Sequence, residues 1–353
     1  MDNAYAFVMA GGSGERFWPM SRQSTPKHLL RLLDERTLLE TTVERLRGVI
    51  PPENIFVLTN VSQVDAVRAT LPGVPADHVV AEPAKRDTAP ACALATAVAR
   101  ASDPDAVCIV LPADAMIHDV EGFRRQLRDA VRTAQREAAI VTIGVPPAFP
   151  STGFGYLETG ADLPAGPEGS RVRRLEKFVE KPDLETATGY VQSGRYYWNA
   201  GIFLWKAATF LQEARRQAPE LAGFIEGLAS PAGIAQHLAD HFAGLPKISV
   251  DYAIMEHAQN VVAVLSEFDW DDVGAWTALP AHLGTDADGN STRGDVLALD
   301  SQRNIAISNG RLIALCGVSD LVVVETPDAI LVCHRDAVQN VKNLQPLLPG
   351  ALR

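Results

Sequence analysis

The stretch "FVMAGGSGERFWPMSRQSTPKHLL", residues 7–30, decides how the rest of the chain is interpreted. It begins as an apolar run typical of a buried strand and passes directly into a loop rich in glycine and cationic side chains. The glycines are Gly11, Gly12 and Gly14, and the cations are Arg16, Arg22 and Lys27. Glycine lets backbone N–H groups approach an anion closely, so the pattern predicts a loop that wraps the phosphates of a nucleoside triphosphate.

Three other interpretations of this loop compete with that one. A Walker A loop requires GxxxxGK[ST], and no lysine follows these glycines at that spacing. A dinucleotide-binding loop requires GxGxxG, but the third glycine is replaced by Phe17, and Arg16 occupies a position that such a loop keeps small. A plain glycine turn with solvated surface cations stays open when this segment is considered alone.

Composition narrows the class of protein further. The chain has 353 residues, with 32 Lys and Arg against 43 Asp and Glu, which gives a net charge of −11. A chain this acidic is poorly suited to binding nucleic acids or membrane surfaces, which are themselves anionic. No apolar run reaches the roughly 20 residues that span a bilayer, and the N-terminus lacks the pattern of a signal peptide. Four cysteines without CxxC spacing predict reduced, buried thiols in the cytoplasm.

Residues 1–145 alternate short apolar runs with longer helical patterns. Continuous apolar runs indicate strands covered on both faces, and the alternation predicts a mostly parallel, Rossmann-like α/β sheet. The runs are "AYAFVMA", "NIFVLTN", "HVVAEP", "AVCIVLPAD" and "AIVTIGV". Ligands bind such sheets at the carboxyl ends of the strands, where the glycine loop lies.

The pattern changes twice along the rest of the chain. From about residue 146 to 276, mixed strands and helices extend the same sheet and add a lid for a second substrate. After residue 284, short β runs separated by turns predict a small all-β unit, for which a short left-handed β-helix is one arrangement that fits. The predicted domains are therefore residues 1–284 and 285–353.

A series of motifs from residue 9 to 276 resembles the sugar-nucleotide pyrophosphorylases. The motifs are "MAGGSGERFWPMSR", "TPKHLL", "AEPAKRDTAPA", "VLPADAMI", "STGFGYLE", "FVEKPD", "YYWNAGIFLWK", "SVDYAIMEH" and "FDWDDVGAW". Any one of these motifs is weak evidence, but nine of them in the same order as in that family are specific to it. The resemblance implies a GT-A-like nucleotidyltransferase domain, and it is strongest to the members that transfer GMP from GTP to α-D-mannose 1-phosphate.

The resemblance also implies roles for charged residues. Arg16 and Lys27 are expected to hold the leaving phosphates with the amides of the glycine loop, and Lys181 to hold the sugar phosphate. Asp114 ends an apolar strand, so its carboxylate is expected at the ligand edge of the sheet. By the resemblance, Asp272 joins Asp114 in binding Mg²⁺, a cation that prefers oxygen ligands, while Asp271 is solvated or structural.

The remaining expected contacts concern the sugar and the base. Gly155, Glu180 and Asn199 are assigned to the sugar, and Glu82, Arg86 and Thr88 to the nucleotide, since a carboxylate can accept hydrogen bonds from guanine. The predicted enzyme makes GDP-mannose and pyrophosphate in the cytoplasm, as a monomer or a homodimer. The alternatives are another sugar 1-phosphate or nucleotide, or a sensor without catalysis. Residues 285–353 are too few for a further domain of typical size, so we expect no mannose 6-phosphate isomerase activity.

Overall fold

A nine-stranded sheet forms the centre of the protein in the computed structural model, which describes residues 1–352. Its strands are short and largely buried, as their apolar sequences predict. They are β1 (Ala4–Ala10), β2 (Ile55–Asn60), β3 (Val79–Glu82), β4 (Val107–Pro112), β5 (Ile140–Val145), β6 (Tyr156–Leu163), β7 (Val172–Val179), β8 (Tyr196–Lys206) and β9 (Val261–Leu265).

The order of the strands is β3-β2-β1-β4-β8-β5-β9-β7-β6. The first four strands in this order are mutually parallel, and β5 is parallel to β9. β8 runs antiparallel to both of its neighbours β4 and β5, and the β6–β7 hairpin is also antiparallel. The predicted α/β sheet is confirmed, with parallel strands at the glycine-loop side and mixed directions beyond them. Because β1 and β4 are parallel neighbours, their carboxyl ends share one edge of the sheet.

Helices cover both faces of this sheet. They are α1 (Leu38–Leu46), α2 (Val64–Thr70), α3 (Thr88–Ser102), α4 (Val120–Glu137), α5 (Leu184–Ser193), α6 (Ala207–Gln217), α7 (Pro219–Gly227), α8 (Ile234–His241), α9 (Val250–Ala253) and α10 (Pro280–Leu283). Buried side chains of α1 and α4 pack on one face, and those of α3, α6 and α7 pack on the other. Local signals fix the helix starts: Thr37 and Glu40 form a capping box at α1, and Asp119 caps α4.

The C-terminal region is built from short strands stacked in coils. They are β10 (Ser291–Arg293), β11 (Val296–Leu299), β12 (Ile305–Ile307), β13 (Ile313–Cys316), β14 (Leu321–Glu325) and β15 (Ile330–His334). β10, β12 and β14 pair in parallel, as do β11 and β13, and β15 closes the stack antiparallel to β14. Asn304 accepts from Leu321 N on the next coil and donates to Asn290 on the previous one. Parallel stacking of this kind defines a β-helix; its left-handedness stays a prediction.

A separate apolar cluster joins the β-helix to the glycine loop. Phe17 and Trp276 pack edge to face, with ring centroids 5.0 Å apart. Ile305 and Val322 of the β-helix belong to the same buried cluster, as does Val338 of the terminal 3₁₀ segment Arg335–Leu347. The β-helix is therefore held against the loop by buried apolar surface, which is the main favourable term in packing of this kind.

Two remaining sequence expectations can be compared with the structure. None of the helices within residues 1–352 has the length and apolar character that crossing a membrane requires. All four cysteines are free, but only Cys92 and Cys108 are buried. Cys316 is exposed and Cys333 is partly exposed, so the prediction of four buried thiols is wrong for these two. Both lie on short strands of the β-helix, which has one face open to solvent.

Candidate active site

A cleft of about 500 Å³ opens at the carboxyl ends of β1 and β4. Nine of the predicted site residues line it, from segments far apart in the sequence. They are Gly14, Arg16, Lys27, Thr88, Asp114, Gly155, Glu180, Asn199 and Asp272. The structure therefore brings together most of the residues that sequence patterns selected. Gly11, Gly12, Glu82, Arg86 and Lys181 are the predicted residues outside the lining.

The glycine loop turns sharply at Gly14. This residue has φ of 64°, in the left-handed region that favours glycine, and a Cβ there would lie 2.3 Å from Cβ of Lys27. The turn leads into a 3₁₀ segment, Glu15–Phe17, in which Phe17 is buried and Arg16 is exposed to the cleft. Gly11 and Gly12 are exposed, and an added Cβ at either would meet no atom within 4 Å. The tight packing thus fixes Gly14, while the two earlier glycines leave the loop open to a ligand.

Lys27 links the loop to two aspartates. Its side chain is almost buried, and Nζ donates to Asp114 Oδ2 over 2.8 Å and to the main-chain carbonyl of Asp272. Burial raises the pKa of Asp272 to about 6; the charge of Lys27 opposes this effect, and those of Asp271 and Asp114 add to it. Two carboxylates and one ammonium therefore converge at the end of the cleft next to the glycine loop, which we call the loop end.

Two side chains of α1 hold the backbone around Asp114 by donating hydrogen bonds to the carbonyls of the residues before and after it. Thr42 Oγ1 donates to Ala113 O over 3.2 Å, and Arg45 Nη2 donates to Ala115 O over 2.9 Å. Both donors lie on α1 and are almost completely buried. Sequence patterns did not single them out, because a polar residue on an amphipathic helix gives no sign of what it contacts. Their role is to fix the backbone that carries the Asp114 carboxylate.

The donor set at this end suits a hard divalent cation. No group of three or more His, Cys, Asp or Glu side chains able to hold a metal ion occurs within residues 1–352. Asp114 and Asp272 both line the cleft, whereas Asp271 is occupied by His282 Nε2 and the amide of Val273. Mg²⁺ is typically bound by one or two carboxylates together with waters and substrate phosphates. The carboxylates of Asp114 and Asp272 match that pattern.

The other end of the cleft is polar and lined by neutral and acidic groups. Asn199 Oδ1 accepts from Thr142 Oγ1 and from the amide of Gly201, which leaves its NH₂ group available to a ligand. A Cβ on Gly155 would lie 2.7 Å from Glu180 Oε2, so the absent side chain makes room for this carboxylate. Lys181 forms an ion pair with Glu180 at 2.6 Å, but its side chain is 60% exposed and does not line the cleft.

The residues predicted to bind the base are separated in the structure. Thr88 lines the cleft and accepts a hydrogen bond from the amide of Val250. Glu82 lies at the end of β3 outside the lining, and burial raises its pKa to about 7. The guanidinium of Arg86 donates to the carbonyl of Ala243. Base contacts by Glu82 and Arg86 stay a prediction, and only Thr88 has the cleft position that such a contact requires.

Three charged residues of the cleft, Glu15, Asp251 and Lys342, were not assigned a role from the sequence. Asp251 lines the cleft beside Glu180; burial raises its pKa to about 6, and the charge of Glu180 adds to this shift. It lies within the motif "SVDYAIMEH", so a signal was present. Lys342 comes from the terminal 3₁₀ segment, and no feature of its surrounding sequence indicates a binding role.

A cleft at the carboxyl edge of an α/β sheet is typical of nucleotide-binding proteins, and comparison with known families defines the class. Residues 5–287 match the Nucleotidyl transferase family, so the chain belongs to that family and is a nucleotidyltransferase. Residues 294–345 match the family described as MannoseP isomerase/GMP-like beta-helix domain. The predicted family and the β-helix are thereby confirmed.

Individual relatives give a more particular likeness. The chain is 38% identical to a mannose-1-phosphate guanylyltransferase of Escherichia coli (strain K12), over 96% of this chain and 72% of the relative. It is 38% identical to the xanthan biosynthesis protein XanB of Xanthomonas campestris, over 100% of this chain and 75% of the relative. A solved structure from Thermus thermophilus, named "mannose-1-phosphate geranyltransferase", superposes with a TM-score of 0.88 at 37% identity, over 98% of this chain and 99% of the other.

Proposed function

We propose that the protein transfers GMP from GTP to α-D-mannose 1-phosphate, forming GDP-mannose and releasing pyrophosphate. The observation that carries the proposal is the division of the cleft into two ends. Arg16, Lys27 and Asp114 lie at the loop end, whereas Glu180 and Asn199 lie together around Gly155 at the polar end. Relatives of high coverage named for mannose 1-phosphate and guanylyl transfer support this choice of substrates.

The reaction is an in-line displacement at phosphorus. A phosphate oxygen of mannose 1-phosphate forms a bond to the α-phosphorus of GTP, and the bond from that phosphorus to the bridging oxygen of the β-phosphate breaks. Pyrophosphate leaves with the electron pair of that bond. The protein contributes alignment of two polyanions and preorganised charge, which are the main sources of catalysis in reactions of this type.

Arg16 and Lys27 are the proposed phosphate ligands. Lys27 is held rigidly by Asp114 and the Asp272 carbonyl, so its ammonium is already oriented before a substrate binds. Arg16 Nη1 donates to the carbonyl of Gly274 over 3.3 Å, and its exposed side chain can turn toward a ligand. Amides of the glycine loop would add neutral donors to the same phosphates. Lys181 is proposed to release Glu180 and turn to the sugar phosphate when that substrate enters.

Asp114 and Asp272 are the residues proposed to hold Mg²⁺. When bound, this ion neutralises charge on the phosphate oxygens and orients them for displacement. Glu180, Asn199 and the space at Gly155 are proposed to select the sugar hydroxyls, with Thr88 on the nucleotide side. Residues 1–284 would form the catalytic domain and residues 285–353 the β-helix domain. The monomer–homodimer alternative and the cytoplasmic location stay predictions.

The test is pyrophosphate release by the purified protein with GTP, mannose 1-phosphate and Mg²⁺. A panel of four nucleoside triphosphates against mannose, glucose and fucose 1-phosphates tests specificity in the same assay. We expect the highest kcat/KM for GTP with mannose 1-phosphate, and loss of turnover when a chelator removes the metal. A preference for another pair would replace the substrates proposed here. Tight binding of GDP-mannose without any turnover would identify a sensor instead.

A further inference from the structure

One cation of the cleft comes from the β-helix side of the molecule. Every other lining residue lies between Met9 and Gly274, whereas Lys342 lies on the 3₁₀ segment Arg335–Leu347. The segment follows β15 directly and packs back against the glycine loop. The cleft is therefore completed by a part of the chain more than 60 residues beyond its other contributors.

The backbone next to Lys342 is firmly anchored. Val338 and Val341 are each 3% exposed, and they share a buried cluster with Phe17 and Trp276. Phe17 is the residue immediately after Arg16. Val341 immediately precedes Lys342, so burial of Val341 sets where the lysine leaves the backbone. The anchoring places Lys342 on the Arg16 side of the cleft.

The cleft that Lys342 lines carries more acidic than basic side chains. Five acidic and three basic side chains line it: Glu15, Asp114, Glu180, Asp251 and Asp272, against Arg16, Lys27 and Lys342. Lys27 is already paired with Asp114. Lys342 is exposed and forms no hydrogen bond or ion pair with any residue of the described range 1–352. A polyanionic ligand in an acidic cleft gains most from cations that are not already neutralised.

We propose that Lys342 is a phosphate-binding residue that contacts the β- and γ-phosphates of the nucleoside triphosphate, which leave as pyrophosphate. The inference rests on the proposed function and deepens it, since it assigns part of the substrate site to the β-helix domain. A lysine is a mobile point charge, so it can follow the terminal phosphates as they separate from the α-phosphate. The sugar phosphate is the less suited ligand, because the polar end of the cleft is formed by residues just before β6, just after β7 and on β8.

The test compares Lys342→Met with Lys342→Arg and with a matched control, Lys177→Met. Lys177 is exposed on β7 and does not line the cleft. We expect Lys342→Met to raise KM for GTP by about tenfold, as expected for one charged hydrogen bond, with KM for mannose 1-phosphate unchanged. Lys342→Arg should restore most of the loss, and Lys177→Met should match the wild type.

Calorimetric binding of pyrophosphate alone gives a second readout that needs no turnover. Weaker binding by Lys342→Met, with an unaltered thermal midpoint, supports the assignment. Unchanged pyrophosphate affinity, an effect confined to KM for the sugar phosphate, or a fall in the thermal midpoint that accounts for the loss would overturn it. If the wild type shows no transfer from GTP to mannose 1-phosphate, the proposed function fails, and pyrophosphate binding still decides the role of Lys342.

Discussion

Lys27 Nζ lies 2.8 Å from Asp114 Oδ2, although the two residues are separated by 87 positions in the sequence. The contact joins the glycine loop after β1 to the end of β4, and both groups face the cleft. This ion pair and the contact with the Asp272 carbonyl hold the Lys27 side chain in one position. The same contact places a cation directly beside one of the two proposed metal ligands.

Replacing Lys27 by methionine should lower kcat/KM by about 10²–10³, the usual cost of removing one preorganised charge from a site of this kind. The reason is that the methionine retains the bulk of the side chain but supplies no charge to the phosphates. Pyrophosphate release at saturating Mg²⁺ measures the effect. Lys27→Arg keeps the charge with a different shape, so partial activity is expected. Activity within about threefold of the wild type for Lys27→Met would contradict the role.

Gly14→Ala should abolish most activity and destabilise the protein. An alanine at φ of 64° is strained, and its Cβ would lie 2.7 Å from the backbone nitrogen of Lys27, which cannot move aside cheaply. We expect a loss of about 1–3 kcal/mol in the free energy of unfolding, measured by urea denaturation. Gly12→Ala is the matched comparison, because the added methyl meets no atom within 4 Å, and its cost should be much smaller. Equal effects would show that Gly14 is not constrained by packing.

The strand ends could be located from the sequence alone. Asp114 follows an apolar run that could only be a buried strand, and the carboxyl ends of parallel strands meet at one edge, so its place in the cleft was predictable. The direction of β8 could not be predicted, because an apolar run such as "WNAGIFLWK" has the same pattern in either orientation. Direction depends on how the connecting segments pack, which is a property of the folded chain.

Residues that reach the cleft through tertiary packing were the ones missed. Lys342 depends on the burial of Val341 against Phe17, a contact between opposite ends of the chain that no local pattern encodes. Glu82 and Arg86 are the opposite case, since both were predicted to bind the nucleotide but do not line the cleft. They are close to Thr88 in sequence, yet only Thr88 lines the cleft. Glu82 is the last residue of β3, and the Arg86 guanidinium donates to the carbonyl of Ala243 instead.

Gly155→Ala should impair use of the sugar phosphate more than use of GTP. The added methyl would lie 2.7 Å from Glu180 Oε2 and 3.4 Å from Cβ of Asn199, so the carboxylate must shift away from its present position. We expect KM for mannose 1-phosphate to rise by about tenfold or more, with KM for GTP changed by less than about twofold. Gly153→Ala is the control, because its nearest neighbour is 3.7 Å away. A parallel rise in both KM values would indicate a general collapse of the cleft.

Asp251→Asn should make the protein more stable at neutral pH but less active. Because burial raises the pKa of Asp251 to about 6 from its ordinary value of 3.8, the folded state binds a proton more tightly than the unfolded state. The stability of the wild type therefore falls as pH rises from about 4 to about 6, and the loss persists above about pH 6. Asparagine cannot ionise, so the variant avoids this loss.

The expected gain for Asp251→Asn is about 1–2 kcal/mol in the free energy of unfolding at about pH 7.5, after allowance for solvent near a partly exposed group. At about pH 4 the difference should become small, because the carboxyl of the folded wild type is then protonated. Urea denaturation across this range measures it, with Asp77→Asn, exposed on the surface, as the control. In the activity assay the same variant should raise KM for mannose 1-phosphate, since Asp251 lies beside Glu180 in the cleft. A variant less stable than the wild type at neutral pH would contradict the prediction, because it would show that ionised Asp251 stabilises the folded state.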